Sequence, residues 1–319
     1  MPRKVEYYRR ESYFREALAD ATDIFGTSID SVLHNAAFLM MKPDGLLAGK
    51  LNTVYSFVIE HGFSVVAVEY LTFSCHMWRE LWRYQLTSAT LDRLALKDAL
   101  FLSQPSLALL LRSDGQHDLP GTVRLSELKG SANLKTQAAG TLRSQLRQPN
   151  RVFSLVHFAD EPADLVRELG VLFPQDVRRR MLAALSSGKL ADADRDTLRE
   201  ALARDGSSAK SFTLADAVDR VDAALDALVV SRPDHEPRIA GVRAVLDQAT
   251  SGVVIDWRWL VRELSALDCR VDEWDLTVIG SYAIIADEPG EPKVIDNPDP
   301  MAWREPARLP VDTTAGQLA

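Results

Sequence analysis

Four short apolar runs, residues 36–41, 63–71, 106–111 and 152–156, alternate with stretches of helical periodicity, and this alternation constrains the fold more than any other feature of the chain. Each run is rich in leucine, β-branched or aromatic residues and is short enough for a strand with core on both faces. Between them lie a helix at 46–60 closed by His61 and Gly62, a long helical stretch from about Cys75 to Phe101, and a short helix near 122–128 followed by a Gly/Ser/Ala/Asn-rich loop. A closing helix opens at Asp160, Glu161 and Pro162, where acids and proline suit a first turn. Strands alternating with helices in such short units form a layered α/β or split-βαβ domain.

The flanks are organised differently. A helical arm over 7–24, ending at Gly26, precedes the first run. After Phe173 the pattern is helical only, at 176–186, 192–204, 214–229, 237–249 and 256–267, with Thr213 as a good N-cap and Gly188 and Gly206 as good stops. From Leu276 the stretch LTVIGSYAIIAD, with KVID beyond EPGEP, predicts a hairpin ahead of a proline-dense tail from Asn297. The expected organisation is an arm (1–35), an α/β domain (36–174) and a mainly helical acidic domain (175–319). Trp257, Trp259 and Trp274, in amphipathic helices, are expected in the core.

The net charge of -8 is unevenly spread. Residues 1–173 hold 19 basic and 19 acidic side chains and residues 174–319 hold 18 and 26, so the whole surplus lies in the second part. That argues against wrapping a nucleic-acid backbone. Arg178-Arg179-Arg180 reads as one solvated helical turn. Two cysteines, Cys75 and Cys269, cannot build a framework of several disulfides, and the opening MPRKVEYYRRESYFRE lacks the apolar segment of a secretion signal. No run approaches the roughly 18 apolar residues of a membrane span. A cytoplasmic location is expected, with neither nucleic acid nor membrane as partner.

The chemistry gathers in SLVHFADEPADLVRELGVLF, residues 154–173. His157 stands at the end of the fourth run, which turns straight into a helix whose Leu165, Leu169 and Leu172 share one face while Glu161, Asp164 and Glu168 recur on another. Upstream, residues 37–71 contain Lys42-Pro43-Asp44-Gly45, and Gly140-Thr141-Leu142-Arg143 lies shortly before the fourth run. In this order, over 36–174, the three elements resemble the nucleoside diphosphate kinase family. They match its first β-α-β with a Lys-Pro-Asp-Gly signature, its Gly-Thr-Ile-Arg element, and its catalytic strand, His, two residues, Asp, and a helix with Glu eleven positions after the His. GLLAGK, residues 45–50, only faintly imitates a P-loop; the gap is short, Leu51 replaces the required Ser/Thr, and the stretch reads as a helix start.

The resemblance implies an α/β (α+β) fold, a ferredoxin-like split βαβ domain with an antiparallel sheet, followed here by the mainly α-helical C-terminal domain. It also implies a phosphotransferase that moves the terminal phosphoryl of a nucleoside triphosphate through a phosphohistidine to a nucleoside diphosphate or an altered acceptor. Neutral imidazole is nucleophilic near neutral pH; one nitrogen attacks and the other must be held, and Glu168 is the expected brace for His157. Lys42 and Arg143 are the expected phosphate clamps, with Arg124 a second arginine and Ser131 the phosphate-contacting hydroxyl. Ser154 occupies the place of an asparagine that holds the sugar, and Trp82 that of a tyrosine in the helical hairpin. Magnesium is expected on the nucleotide phosphates, with no dedicated metal site in the protein. Homo-oligomers are typical of the family, and one is expected here.

Plainer readings stand beside these. Lys-Pro-Asp-Gly is also good turn chemistry, and Arg143 with Arg147 also suits a surface pair. The chain departs from the family at Ser154, Phe158 and Ala159, and a neutral hydrogen bond is worth about 0.5–1.5 kcal/mol, so Ser154 and Ala159 re-aim a site more than abolish it. Phe158 sets a bulky ring at the corner. The second reading is therefore a catalytically degenerate nucleotide-binding or protein-interaction module.

Overall fold

The structure, a computed structural model, describes residues 2–207, 209–295 and 303–304. Its elements, in chain order, begin with α1 (Pro2–Tyr8), α2 (Ser12–Phe25), α3 (Ile29–Asn35), β1 (Ala36–Met41), α4 (Pro43–Leu47), α5 (Leu51–Glu60), β2 (Phe63–Leu71), α6 (Cys75–Leu81), α7 (Leu91–Leu102) and β3 (Ser106–Ser113). They continue with α8 (Gly121–Lys129), α9 (Leu142–Leu146), β4 (Val156–Phe158), α10 (Pro162–Leu172), α11 (Gln175–Ser187), α12 (Asp192–Arg204), α13 (Leu214–Ser231), α14 (Glu236–Thr250), α15 (Trp257–Ala266) and α16 (Glu273–Ala283).

The four strands form one sheet in the order β2-β3-β1-β4, every pairing antiparallel. This is the ferredoxin-like arrangement: two split β-α-β units with β1 and β3 central. Alternation along the central strands divides the core. Leu39, Met41, Leu107 and Leu109 meet Val54 and Phe57 of α5 on one face. Phe38, Met40, Ala108 and Leu110 meet Leu165, Leu169 and Leu172 of α10 on the other. The edge of β2 is covered: Asp194 of α12 accepts from Val68 N at 3.0 Å.

Several expectations need correction. The long helix at 75–101 is two helices, because Trp82 to Thr90 turn and Thr90 caps α7 by accepting from Arg93 N. The helix at 46–60 is broken at Gly49 (φ 62), where a Cβ would fall 2.6 Å from Gly206 Cα. The strand expected at 152–156 is β4 instead, so His157 lies within the strand rather than at its end. The hairpin from Leu276 is a helix, α16, capped by Asp272, which accepts from Trp274 N. A buried apolar run carries no period that separates strand from helix; here Val278, Ile279 and Ala283 sit in a helical core. The part of that expectation beyond residue 295 lies largely outside the described residues. Trp257 and Trp274 are buried, as expected of core tryptophans.

Arg178-Arg179-Arg180 is only in part a solvated turn: Arg179 and Arg180 reach solvent, but Arg178 does not. Arg178, 3% exposed, donates through Nε and Nη2 to Asp20 of α2, Arg179 bridges Asp20 and Asp23, and Arg180 reaches Asp194 and Glu69. The triplet clamps the N-terminal arm and α12 to the domain. Arg167 adds a second clamp, its buried Nε donating to Glu11 at 2.6 Å.

Candidate functional site

The Lys-Pro-Asp-Gly turn builds the floor on which the histidine stands. Asp44, fully buried, accepts from Leu155 N at 2.9 Å, and Leu155 O accepts from Lys42 N at 3.1 Å. The turn and the segment before β4 are therefore pinned backbone to side chain. Gly45 is required at this approach, since a Cβ there would fall 2.4 Å from Leu155 O. Leu155 itself is held in the left-handed region (φ 59), which a leucine adopts only when its surroundings impose it. Two residues on, His157 pairs with Met40 of β1 and its ring is aimed by the sheet.

His157 Nε2 lies 2.9 Å from Glu168 Oε2. The contact is close but angled away from an aligned hydrogen bond, and each of these two buried atoms is without another partner. Trp82 meets the imidazole edge-on at 5.2 Å between centroids and stacks on Phe101 at 5.1 Å. Among the described residues, the ring therefore has a carboxylate at one nitrogen and an indole against it, within a cavity of about 620 Å³.

The cavity walls are cationic. Lys129, Arg143, Lys97, Arg93 and Arg151 line it. Burial pushes the Arg143 guanidinium down to about 10, opposed by Asp160, and among the described residues its buried Nε has no partner. Burial also lowers Lys129 and, together with repulsion from Lys42, drives Lys97 well below the usual amine range. Among the described residues, Arg143 and Lys97 have no carboxylate within ion-pair distance, whereas Lys129 is paired with Asp160 at 2.7 Å. The acids in the cavity are mostly committed: burial works to raise Asp160, but Lys129 and Ser126 outweigh it and hold its carboxyl far below the usual range. Asp287 is held by Arg93. No cluster of three or more His, Cys, Asp or Glu side chains among the described residues is arranged to hold a metal ion.

Of the residues singled out in the sequence, His157, Glu168, Trp82, Ser131 and Arg143 are brought to this one cavity. Three are not. Lys42, 2% exposed, donates to Asp44 at 3.2 Å and to Ser154 Oγ at 2.8 Å, so these two predicted ligand contacts are spent on each other. Arg124 donates to Ser113 Oγ and His61 O and lines a separate cavity of about 450 Å³. Phe158, expected to crowd the corner, is fully buried with Lys129 Nζ 5.4 Å from its ring centre, and forms wall. Sequence reasoning missed Lys129, Lys97, Arg93 and Arg151, because no local motif distinguishes them from surface cations. It also missed Lys4 and Tyr8 of α1, which line the cavity from outside the α/β domain.

The site thus sets a histidine-carboxylate pair in a cationic cavity of an antiparallel ferredoxin-like domain. Residues 35–177 match the family model described as Nucleoside diphosphate kinase. A curated nucleoside diphosphate kinase from Nocardioides sp. is 29% identical over 136 residues, which is 43% of this chain and 94% of that protein. Solved nucleoside diphosphate kinases from Aquifex aeolicus (orthorhombic form; 19% identity, TM-score 0.37, 44% of this chain and 96% of that one) and from Encephalitozoon cuniculi (cubic apo form; 16%, 0.38, 45% and 91%) are also similar. Residues 35–177 are thus similar, at a distance, to nucleoside diphosphate kinases.

Proposed function

We propose that the chain is a nucleoside diphosphate kinase-like phosphotransferase in which His157 carries the phosphoryl group between a nucleoside triphosphate and its acceptor. The observation that carries this reading is the 2.9 Å approach of Glu168 to His157 Nε2 inside a cavity whose lining includes Arg143 and Lys97, two buried cations with no carboxylate partner among the described residues. With Nε2 facing the carboxylate, Nδ1 is the nitrogen left to attack phosphorus in line with the leaving diphosphate oxygen. Glu168 then stabilises the cationic phosphoimidazole, and the same pair returns the group to the acceptor oxygen. Arg143 and Lys129 neutralise charge on the transferring oxygens, Ser131 supplies a hydroxyl, and Trp82 fixes the ring. Magnesium would ride on the nucleotide phosphates, since the cavity acids are tied to lysines and arginines. Similarity to the family also supports nucleotides as substrates and assembly as a homo-oligomer.

One observation favours a module without turnover: the Asp287 carboxylate, from the segment after α16, already sits on Arg93 in the cavity. Incubation with magnesium and ATP labelled at its γ-phosphate separates the readings. Acid-labile label that is lost in His157→Gln and discharged by a diphosphate supports transfer. Saturable nucleotide binding with no label supports the module and defeats the proposal.

A further inference from the structure

The arm that precedes the family domain reaches into the cavity. Lys4, 5% exposed, places Nζ 2.7 Å from Asp164 Oδ2 and 2.9 Å from Glu161 Oε2. Tyr8 donates its hydroxyl to Oδ1 of the same Asp164 at 2.8 Å. Asp164 stands four residues before Glu168 on α10, so the two carboxylates are neighbours on one face. Sinking an ammonium group against two buried carboxylates costs desolvation that apolar side chains would avoid. The contact therefore does more than dock a helix, and its location is the face that carries the partner of His157.

We infer that Lys4 and Tyr8 are positioning residues for the His157–Glu168 pair: the docked arm supplies the cation and the hydroxyl that hold Asp164 and so set the charge balance one turn from Glu168. This rests on the reading of His157 and Glu168 as the reacting pair. The charged groups that share the cavity with the ring are Asp164, Arg167 and Glu168 on α10, Glu127 and Lys129 on α8, Arg93 and Lys97 on α7, Arg143 on α9, Arg151 and Asp160 on either side of β4, Asp287 and Lys293 after α16, and Lys4 with Tyr8 on α1, where Glu161 also pairs with Lys4. Burial drives the Asp164 carboxyl up to about 6 against the pull of Lys4, and Asp160 also feels Lys4. Removing the Lys4 charge leaves Glu161 without this partner and takes a cation away from the groups that share the cavity with the ring. Loss of a nearby cation favours the charged form of an imidazole over the neutral one.

The test follows the His157 ring in the full chain by carbon-13 NMR of labelled histidine, with its signal among the six histidines assigned from His157→Gln. In Lys4→Met the midpoint is expected to rise by about half a pH unit or more, about a threefold loss of neutral ring below the midpoint. Tyr8→Phe, which keeps the ring and the Lys4 charge and removes only the donor, is expected to move it by less. The charge-balanced Lys4→Met/Asp164→Asn variant is expected to return toward the wild-type midpoint. An unmoved midpoint in Lys4→Met, or a shift that the double variant does not reverse, overturns the inference. Labelling by ATP measured on the same samples keeps the two readings apart. A phosphoenzyme with an unmoved midpoint defeats the arm's role alone, and a moved midpoint with no phosphoenzyme defeats the kinase reading alone.

Discussion

Lys42 and Ser154, 112 residues apart, are joined by a 2.8 Å hydrogen bond from ammonium to hydroxyl, with Asp44 Oδ2 3.2 Å from the same nitrogen. The lysine of the Lys-Pro-Asp-Gly turn is thereby a strut under the strand that presents His157. Burial lowers its affinity for a proton, and Asp44 works the other way.

Lys42→Met should therefore act first on stability. It leaves Asp44 charged and buried, and breaking such a pair costs about 3–5 kcal/mol. Urea unfolding is the measurement. A variant as stable as wild type that had lost nucleotide affinity would show that the lysine serves the ligand directly.

The two arginines expected to bind phosphate are predicted to part company. Arg143→Ala removes a cation from the cavity wall and should weaken ATP binding by about ten- to a hundredfold, the worth of hydrogen bonds to a charged group. Arg124→Ala, whose partners are Ser113 and His61, should leave ATP affinity within about twofold and lower the unfolding midpoint. Calorimetric titration of both variants decides the point, and equal losses would refute the assignment.

Close approach of the arm gives a third expectation. A Cβ at Gly170 would fall 2.3 Å from Tyr13 O, where α2 crosses α10, whereas a Cβ at Gly241 of α14 meets nothing within 4 Å. Gly170→Ala should destabilise by about 1–3 kcal/mol through overpacking. Gly241→Ala should stabilise by about 0.5–1 kcal/mol, because a helical glycine costs backbone entropy. Chemical unfolding of the two variants side by side reads the difference.

Asp164 gives stability an unusual pH dependence. Burial raises its carboxyl to about 6, opposed by Lys4. Between about pH 4 and 6 the unfolded chain has lost this proton while the native chain still holds it, so the Asp164 contribution is present at low pH and is lost as pH rises. Asp160, held below the usual range, contributes in the opposite sense, and its share disappears as pH falls below about 4. Relative to wild type, Asp164→Asn should gain about 2–3 kcal/mol across the pH 4 to 6 window and show a flat difference on either side. Parallel difference curves through the window would contradict the shift.

The sequence by itself determined the strand-helix order and the boundaries of β1 and β2, because periodicity is local and directional, and its motifs pointed, through the family they resemble, to the ferredoxin-like domain and to Glu168 beside His157. It left α16 read as a hairpin, since a run buried on all sides has no polar face to reveal its period. It read Arg178-Arg179-Arg180 as one solvated turn, since the acids that engage the triplet, Asp20, Asp23, Glu69 and Asp194, lie elsewhere in the chain. Only the tertiary structure decided which cations face the histidine, that Lys42 and Ser154 satisfy each other, and that Lys4 and Tyr8 of the arm complete the wall. Those choices depend on long-range burial and on which charges lose water together, and no window of sequence contains both members of such a pair.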